Sequence, residues 1–238
     1  MTETLAFVGV AGGAGTTRTT VEVAATLARD GRSVAVLDAA PGTQGLARYV
    51  DGRIDPDATA VLVDEAGFED ALAEAWDELD GRAALWPTHA PFERLARAQT
   101  TDAARRFERC VRRAEEQFEH VLLDVPPLAS NVAVAAATAA DRRVLVAPAT
   151  RRGNDHLPRM RGRLVDVGAG TDGVVATRVD GSHPLTEADH ELPAGDPGAA
   201  VPTCVDPDTD LAPAVADATE GLLETSLDLE FPSEGLLG

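Results

Sequence analysis

The sequence contains no lysine, because all 21 basic residues among its 238 are arginines. Isoleucine occurs once, as Ile54, and aromatic residues make up only 4% of the chain. With 40 acidic residues, the formal net charge is −19. This composition is typical of proteins from extreme halophiles, whose acidic surfaces stay solvated in molar salt, where the Debye length falls to about 3 Å. The missing lysine excludes any chemistry that depends on a side-chain ammonium group.

Other absences limit the location and the chemistry of the protein. Only two cysteines occur, Cys110 and Cys204, without the spacing of a metal site, which favours a reducing compartment. No apolar run approaches the roughly 18 residues of a membrane span, and the first residues lack the basic start of a secretory signal. A Gly-x-Ser-x-Gly hydrolase motif is also missing. We therefore expect a cytoplasmic protein that does not span a membrane.

The first forty residues predict a strand, a loop, a helix and a second strand. Leu5–Val10 is a short apolar run, Ala11–Gly15 is rich in glycine, and Thr16–Arg29 has apolar residues at helical spacing. Ser33–Leu37 is the second apolar run and is followed by Asp38. Such a unit is typical of a parallel sheet with a right-handed crossover helix.

The rest of the chain alternates in the same way. We predict helices at Phe68–Leu79, Phe92–Ala98, Asp102–Gln117, Asn131–Ala139, His156–Val167 and Leu211–Leu223, and strands at Ala83–Trp86, His120–Asp124, Arg143–Ala147 and Gly173–Arg178. Trp76, Trp86 and Phe92 are expected to fill the core. The pattern predicts a single α/β domain over residues 1–225, with a mainly parallel sheet flanked by helices. Residues 226–238 form an acidic tail that we expect to be frayed.

The glycine loop Ala11–Gly15 is suited to binding phosphate. Several backbone N–H groups of such a loop can point into one concavity, and the N-terminus of the following helix adds about half a positive charge. A P-loop normally adds a lysine for the β- and γ-phosphates and a Ser/Thr hydroxyl for Mg²⁺. In this chain Thr17 supplies the hydroxyl, whereas Thr16 stands at the position of the lysine.

Three segments of the chain resemble the MinD/ParA family of P-loop ATPases. Ala11–Thr17 corresponds to the deviant Walker A motif of that family, lysine-Gly-Gly-x-Gly-lysine-Ser/Thr, and Asp38–Gly45 corresponds to its switch I loop. Val121–Pro127 is similar to its switch II strand, which ends in an Asp-x-Pro-Pro turn. The resemblance extends in order and spacing from Leu5 to about Val179. It implies a single-domain P-loop NTPase-like (Rossmannoid) fold.

The departures from the family pattern all affect its chemistry. Ala11 stands where the family has the lysine that reaches the nucleotide of the partner subunit, and Thr16 replaces the P-loop lysine. Ala40 replaces the switch I aspartate that positions the attacking water, and Thr177 replaces the asparagine that recognises adenine. The resemblance therefore implies a degenerate member with little or no ATP hydrolysis, without a nucleotide-sandwich homodimer, and with at most weak binding of ATP or ADP with Mg²⁺.

The residues that are retained match the phosphate and metal positions of the family. By this resemblance the nucleotide would contact Gly12, Gly13, Gly15, Thr16, Thr17 and Arg18, and Mg²⁺ would be bound by Thr17, Asp38 and Asp124. Each position also has a structural alternative. The glycines could serve only to turn the chain, the Thr17 hydroxyl could only cap the helix, and either aspartate could only cap a neighbouring loop. Arg18 could be a solvated helix residue, and no residue is assigned as catalytic.

Three functions remain open on the sequence alone. We favour a non-hydrolysing member that regulates or scaffolds intracellular positioning or partitioning together with a protein partner. The second is a working ATPase switch that uses Arg18, an arginine of a partner, or the backbone alone. The third is a Rossmann oxidoreductase with Asp38 on the ribose. That function needs Gly-x-Gly-x-x-Gly, whereas Gly13–Arg18 ends in arginine.

The charges suggest how the surface is used. Residues 142–163 carry seven arginines and one acid, whereas residues 179–238 carry fourteen acids and no arginine. Arg159 and Arg163 share a helix face that would suit nucleic acid or an acidic partner. We favour pairing of these arginines with the chain's own acidic tail, the fourteen acids downstream, because arginine fits carboxylates and molar salt weakens non-specific DNA binding. Since the C-terminus has no basic amphipathic helix, we expect no membrane partner.

Overall fold

The computed structural model describes residues 2–195 and 202–232. Its strands are β1 Glu3–Gly9, β2 Ser33–Asp38, β3 Ala73–Ala75, β4 Arg82–Trp86, β5 His120–Val125, β6 Arg142–Pro148, β7 Gly173–Val179 and β8 His190–Pro193. Its α-helices are α1 Thr16–Arg29, α2 Ala58–Leu62, α3 Phe92–Arg97, α4 Thr101–Glu115, α5 Asn131–Ala139, α6 Arg151–Asp166 and α7 Leu211–Leu223. Short 3₁₀ turns lie at Leu46–Tyr49, Glu69–Ala71 and Thr203–Val205.

The strands form one sheet in the order β3-β4-β2-β5-β1-β6-β7-β8. Neighbouring strands are parallel, except that the edge strand β3 is antiparallel to β4. The predicted α/β fold with a mainly parallel sheet is therefore confirmed. Because β1 lies in the middle, the loop that follows it leaves the sheet between the carboxyl ends of β5 and β6. Ligands of such sheets bind at this edge.

The central strands are buried on both faces, as expected for a parallel sheet covered by helices. Leu5 and Phe7 of β1 belong to a core cluster that includes α1 and α7, whereas Ala6 and Val8 belong to a second cluster with α4, α5 and α6. This alternation follows from the strand period of two residues. The result is three layers, with helices on both faces of the sheet.

The predicted helix at Phe68–Leu79 is wrong. The chain makes only the 3₁₀ turn Glu69–Ala71 there and then forms β3, which pairs with β4. Phe68 packs on Trp86, and Glu74 of β3 pairs with Arg82 of β4. Pairing along an open sheet edge therefore outweighs the local helical preference of the segment.

Other boundaries also differ from the predictions. Helix α6 begins at Arg151 rather than at His156, because the Thr150 hydroxyl accepts a hydrogen bond from Gly153 N and caps it. The short elements α2 and β8 were not predicted. Trp86 lies in the core as expected, whereas Phe92 is 84% exposed on α3, so its predicted core position is wrong.

The arginines of residues 142–163 are partly used within the chain. Arg142 pairs with Glu3 and with Glu224, and Arg161 pairs with Glu187. The Arg163 guanidinium donates to the backbone oxygen of Leu128. Arg143 also pairs with Asp172, and Arg151 with Asp155. Four of the seven arginines therefore pair with acids of the chain, and two of them, Arg142 and Arg161, pair with acids of residues 179–238. None of the described helices is long and apolar enough to cross a membrane.

The described part of the acidic tail contacts the end of α1. Asp228 N donates to the Asp30 carboxylate, and the Arg29 guanidinium lies over the ring of Phe231. Arg32 donates to the backbone oxygen of Ser226. Residues 233–238 lie outside the described residues, and their predicted fraying stays a prediction.

Candidate functional site

The glycine loop joins β1 to α1 and leaves the N-terminus of that helix open. Gly13 and Gly15 have φ angles of 76° and 94°, which side chains with a β-carbon rarely adopt. Gly15 is the N-cap residue of α1, no side chain caps the helix, and its first turn has no acid. The first backbone N–H groups of α1 therefore have no side-chain partner and carry the positive end of the helix dipole. Such a geometry attracts an anion.

Two buried carboxylates lie side by side near the carboxyl ends of neighbouring strands. Asp38 ends β2 and is the register partner of Asp124 in β5. Asp124 Oδ2 accepts a hydrogen bond of 2.6 Å from the Thr17 hydroxyl. Asp38 accepts hydrogen bonds from Ala40 N at 2.7 Å and from the Thr88 hydroxyl at 2.5 Å. The structure thus brings Thr17, Asp38 and Asp124 together, as the resemblance implied.

The electrostatics of the pair are unfavourable without a cation. Burial, together with the charge of Asp38, raises the pKa of Asp124 to about 7, although the hydrogen bond from Thr17 opposes this shift. Burial also raises the pKa of Asp38, against the hydrogen bonds from Thr88 and Ala40. No basic side chain forms an ion pair with either carboxylate in the described ranges. A divalent cation would relieve this repulsion.

The side chains at the positions of the family's lysines and asparagine are short. The Thr16 hydroxyl packs closely on Gly9, where an added β-carbon would lie 2.6 Å from it. The Thr177 hydroxyl donates to the backbone oxygen of Ala14 at 2.7 Å. Ala11 and Ala40 are buried and end in a methyl group. These residues shape the loop and bring no charge to it.

Arg18 lies beside the loop, but its guanidinium is engaged elsewhere. It pairs with Glu22, which is 1% exposed, and it donates to the Thr203 hydroxyl at 3.0 Å. Glu22 also accepts hydrogen bonds from Thr203 N and Cys204 N. The cation that the sequence suggested for the phosphates is therefore part of a contact that holds the 3₁₀ turn Thr203–Val205 on α1.

Two cavities adjoin at this edge of the sheet. One, of about 330 Å³, is lined by the whole glycine loop, by Asp124 and by the turns after β2 and β5. The other, of about 410 Å³, is lined by Glu22, Leu192 and Leu211 among others. Both are lined by Gly15, Arg18, Tyr49 and Arg178. Their volumes fall in the range of small-molecule sites, about 300–1,000 Å³.

Some residues of the site were not identified from the sequence. Thr88 follows β4, so its position at the carboxyl edge beside β2 was the available signal. Arg48, in the 3₁₀ turn after β2, and Arg178, at the end of β7, also line the loop cavity. Exposed arginines such as these carry no local sequence pattern, and only the folded chain places them at the site.

The glycine loop opens a helix that no side chain caps. The threonine hydroxyl that follows it donates to a buried aspartate at the end of a neighbouring strand. This combination defines the class of P-loop nucleotide-binding proteins. A family model described as an AAA domain, AAA_31, matches residues 2–161, which is more than half of the chain. The chain therefore belongs to this family. No curated protein sequence matches it.

Solved structures share the fold over nearly the whole chain. MinD from Pyrococcus horikoshii, complexed with Mg-ADP, is 18% identical with a TM-score of 0.76, and covers 93% of this chain and 96% of its own. The cell division ATPase MinD from Pyrococcus furiosus is 21% identical with a TM-score of 0.76, covering 94% and 99%. McdA from Cyanothece, in complex with ATP, is 18% identical with a TM-score of 0.72, covering 96% and 99%. These findings confirm the resemblance to MinD/ParA-type P-loop ATPases.

Proposed function

We propose that this protein is a MinD/ParA-type nucleotide-binding protein that hydrolyses ATP little or not at all. It would act as a regulatory or scaffolding protein in intracellular positioning or partitioning, through a protein partner. The observation that carries the proposal is the combination of an intact loop, Thr17, Asp38 and Asp124 with uncharged residues at 11 and 16. The residues that would bind nucleotide are retained, whereas the two lysines that the family uses in the reaction are not.

The retained residues fit a nucleotide with Mg²⁺. Backbone N–H groups of Gly12–Thr17 would bind the phosphates, and the Thr17 hydroxyl with Asp124 and Asp38 would hold the metal. When bound, Mg²⁺ supplies positive charge between the phosphate oxygens and the carboxylates. The raised pKa of Asp124 supports this assignment, because a buried pair of carboxylates is costly unless a cation joins it.

The missing cations explain why hydrolysis would be slow. A hydrogen bond to a charged group contributes roughly 1.5–3 kcal/mol, so losing the P-loop lysine weakens triphosphate binding roughly 10- to 100-fold. A cation that contacts the transferring phosphoryl group commonly raises the rate of the reaction by a factor of about 10³ or more. Ala40, whose methyl group replaces a carboxylate, cannot orient a water molecule. These losses fall on the chemical step more heavily than on binding.

A working ATPase switch is the second candidate. One observation favours it, since Arg48 and Arg178 line the cavity of the glycine loop and could supply charge there. This candidate predicts turnover that depends on Asp124. The two candidate functions differ in the rate of ATP hydrolysis and not in the affinity for nucleotide.

The test is calorimetric titration with ATP·Mg²⁺ and with ADP·Mg²⁺ in molar KCl, together with a phosphate-release assay. The proposal expects measurable binding and no release above that of Asp124→Ala. Turnover at a rate typical of the family, abolished by Asp124→Ala, would establish the second candidate instead. The variant Ala11→Lys/Thr16→Lys/Ala40→Asp should bind nucleotide more tightly than the natural chain. Absence of binding in the natural chain would refute the nucleotide site.

A further inference from the structure

Most arginines in the described ranges have a partner, and the exceptions are informative. Most guanidinium groups of α1, α4 and β6 pair with carboxylates or donate to backbone oxygens, in keeping with a chain of net charge −19. Among the described residues, the exposed arginines without such a contact are Arg48, Arg112, Arg152, Arg159 and Arg178. Two of these five, Arg48 and Arg178, line the cavity of the glycine loop.

The two arginines reach this cavity from both sides of the central strand. Arg48 follows β2 and Arg178 lies in β7, and β1, which leads into the glycine loop, lies between these strands in the sheet. Thr17 packs against Gly45, where an added β-carbon would lie 2.8 Å from the threonine hydroxyl. The turn that carries Arg48 is thus held against the loop.

Arg178 is held at the cavity by its neighbour. The Thr177 hydroxyl donates to the backbone oxygen of Ala14, which fixes the end of β7 to the glycine loop. Arg178 has a φ angle of 58°, a conformation that is uncommon for residues other than glycine. It lines both adjoining cavities, so it lies where they meet. Arg18 lies nearby but is neutralised by Glu22.

We propose that Arg48 and Arg178 are the side-chain cations of this site and bind the phosphates of the nucleotide, a role for which the chain has no lysine. The inference rests on the proposed nucleotide binding and identifies the side chains that would neutralise the negative charge of the phosphates. A guanidinium fork matches phosphate oxygens in two parallel hydrogen bonds, and neither arginine gives up an ion pair with another described residue when it binds.

The experiment measures affinity with the full chain in molar KCl. Arg48→Gln, Arg178→Gln and the double variant are titrated with ATP·Mg²⁺ and with inorganic tripolyphosphate and Mg²⁺. Each single substitution should weaken both ligands roughly tenfold, the low end for a charged hydrogen bond at an exposed site. Arg112→Gln and Arg159→Gln, which remove equally exposed and unpartnered arginines elsewhere, should bind as the natural chain does. Arg178→Lys should recover part of the affinity that Arg178→Gln loses.

The outcomes separate this inference from the function on which it rests. If the natural chain binds neither ligand, the proposed function fails and the inference fails with it. If the natural chain binds but the double variant stays within twofold of the controls, only the arginine assignment is refuted. Loss of affinity for ATP without loss for tripolyphosphate would also refute it, because the arginines would then contact the nucleoside.

Discussion

Asp38 and Asp124 are register partners in adjacent strands, yet among the described residues only Asp38 accepts hydrogen bonds on both of its carboxylate oxygens. Its Oδ1 accepts from Ala40 N, and its Oδ2 accepts from the Thr88 hydroxyl and backbone. Asp124 has one such contact, the hydrogen bond from Thr17. Asp38 is therefore the more firmly held member of the pair, and Asp124 is the member whose carboxylate has fewer hydrogen bonds to stabilise its charge.

The unliganded protein should lose stability as pH rises from about 4 to about 7. The pKa of Asp124 is about 7 in the folded chain and its ordinary value is 3.8. Between these values the folded state retains a proton that the unfolded state has released, so the free energy of unfolding falls with rising pH. The shift corresponds to at most about 4 kcal/mol. Thermal unfolding at pH 5 and pH 8 without Mg²⁺ measures it.

Asp124→Asn should remove most of this dependence and raise the melting temperature at pH 8. An asparagine oxygen can still accept the hydrogen bond from Thr17. The matched variant Asp38→Asn should destabilise the protein, because both oxygens of Asp38 accept hydrogen bonds and an NH₂ group would face a donor. Equal effects of the two variants at pH 8 would contradict the distinction between the two carboxylates.

Glu22→Ala should destabilise the protein by roughly 3 kcal/mol. The substitution leaves Thr203 N and Cys204 N without an acceptor and Arg18 without its partner, which are losses typical of a broken buried pair. Glu93→Ala, on an exposed acid without an ion pair in the described part of the chain, should change stability by less than about 0.5 kcal/mol. Denaturant titration followed by circular dichroism compares them, and similar midpoints would refute the structural role of Glu22.

Nucleotide should not make the protein dimerise. The family's sandwich dimer needs a lysine that crosses to the partner's phosphates, and Ala11 is buried and has neither the length nor the charge. Any dimer should therefore be independent of ATP. Light scattering with and without ATP·Mg²⁺ measures the mass, and a monomer that dimerises only with ATP would defeat this prediction.

Duplex DNA should bind too weakly to matter in molar salt. Arg142 and Arg161 are paired with acids of the same chain, and the Arg163 guanidinium donates to a backbone oxygen. Release of counterions, which drives non-specific binding, is lost at high salt. Fluorescence anisotropy with a labelled duplex from about 0.2 to about 2 M KCl tests this. Binding at the top of that range, lost in Arg159→Ala/Arg163→Ala, would show that nucleic acid is a partner.

The local sequence was sufficient to predict those parts of the fold in which a segment determines its own structure. The apolar runs of β1 and β5 and the glycine loop before α1 predicted the parallel sheet. The contact of Thr17 with Asp124 was implied by the resemblance of these segments to the MinD/ParA family. The segment Phe68–Leu79 was predicted wrongly because its structure depends on a strand partner. The role of Arg18 depends on Thr203, 185 residues away. No sequence pattern marked Arg48 or Arg178 as residues of the site, since only the order of the strands brings them together.

The position of β6 has a consequence for any shortened form of this chain. The residues that match the family end at 161, within α6, whereas β6 is hydrogen-bonded on one side to β1 and on the other to β7, which begins at Gly173. A chain cut at that boundary would turn an interior strand into a long apolar edge with unpaired backbone groups. Such an edge invites strand exchange between molecules. The stretch that identifies the family is therefore smaller than the unit that can fold alone.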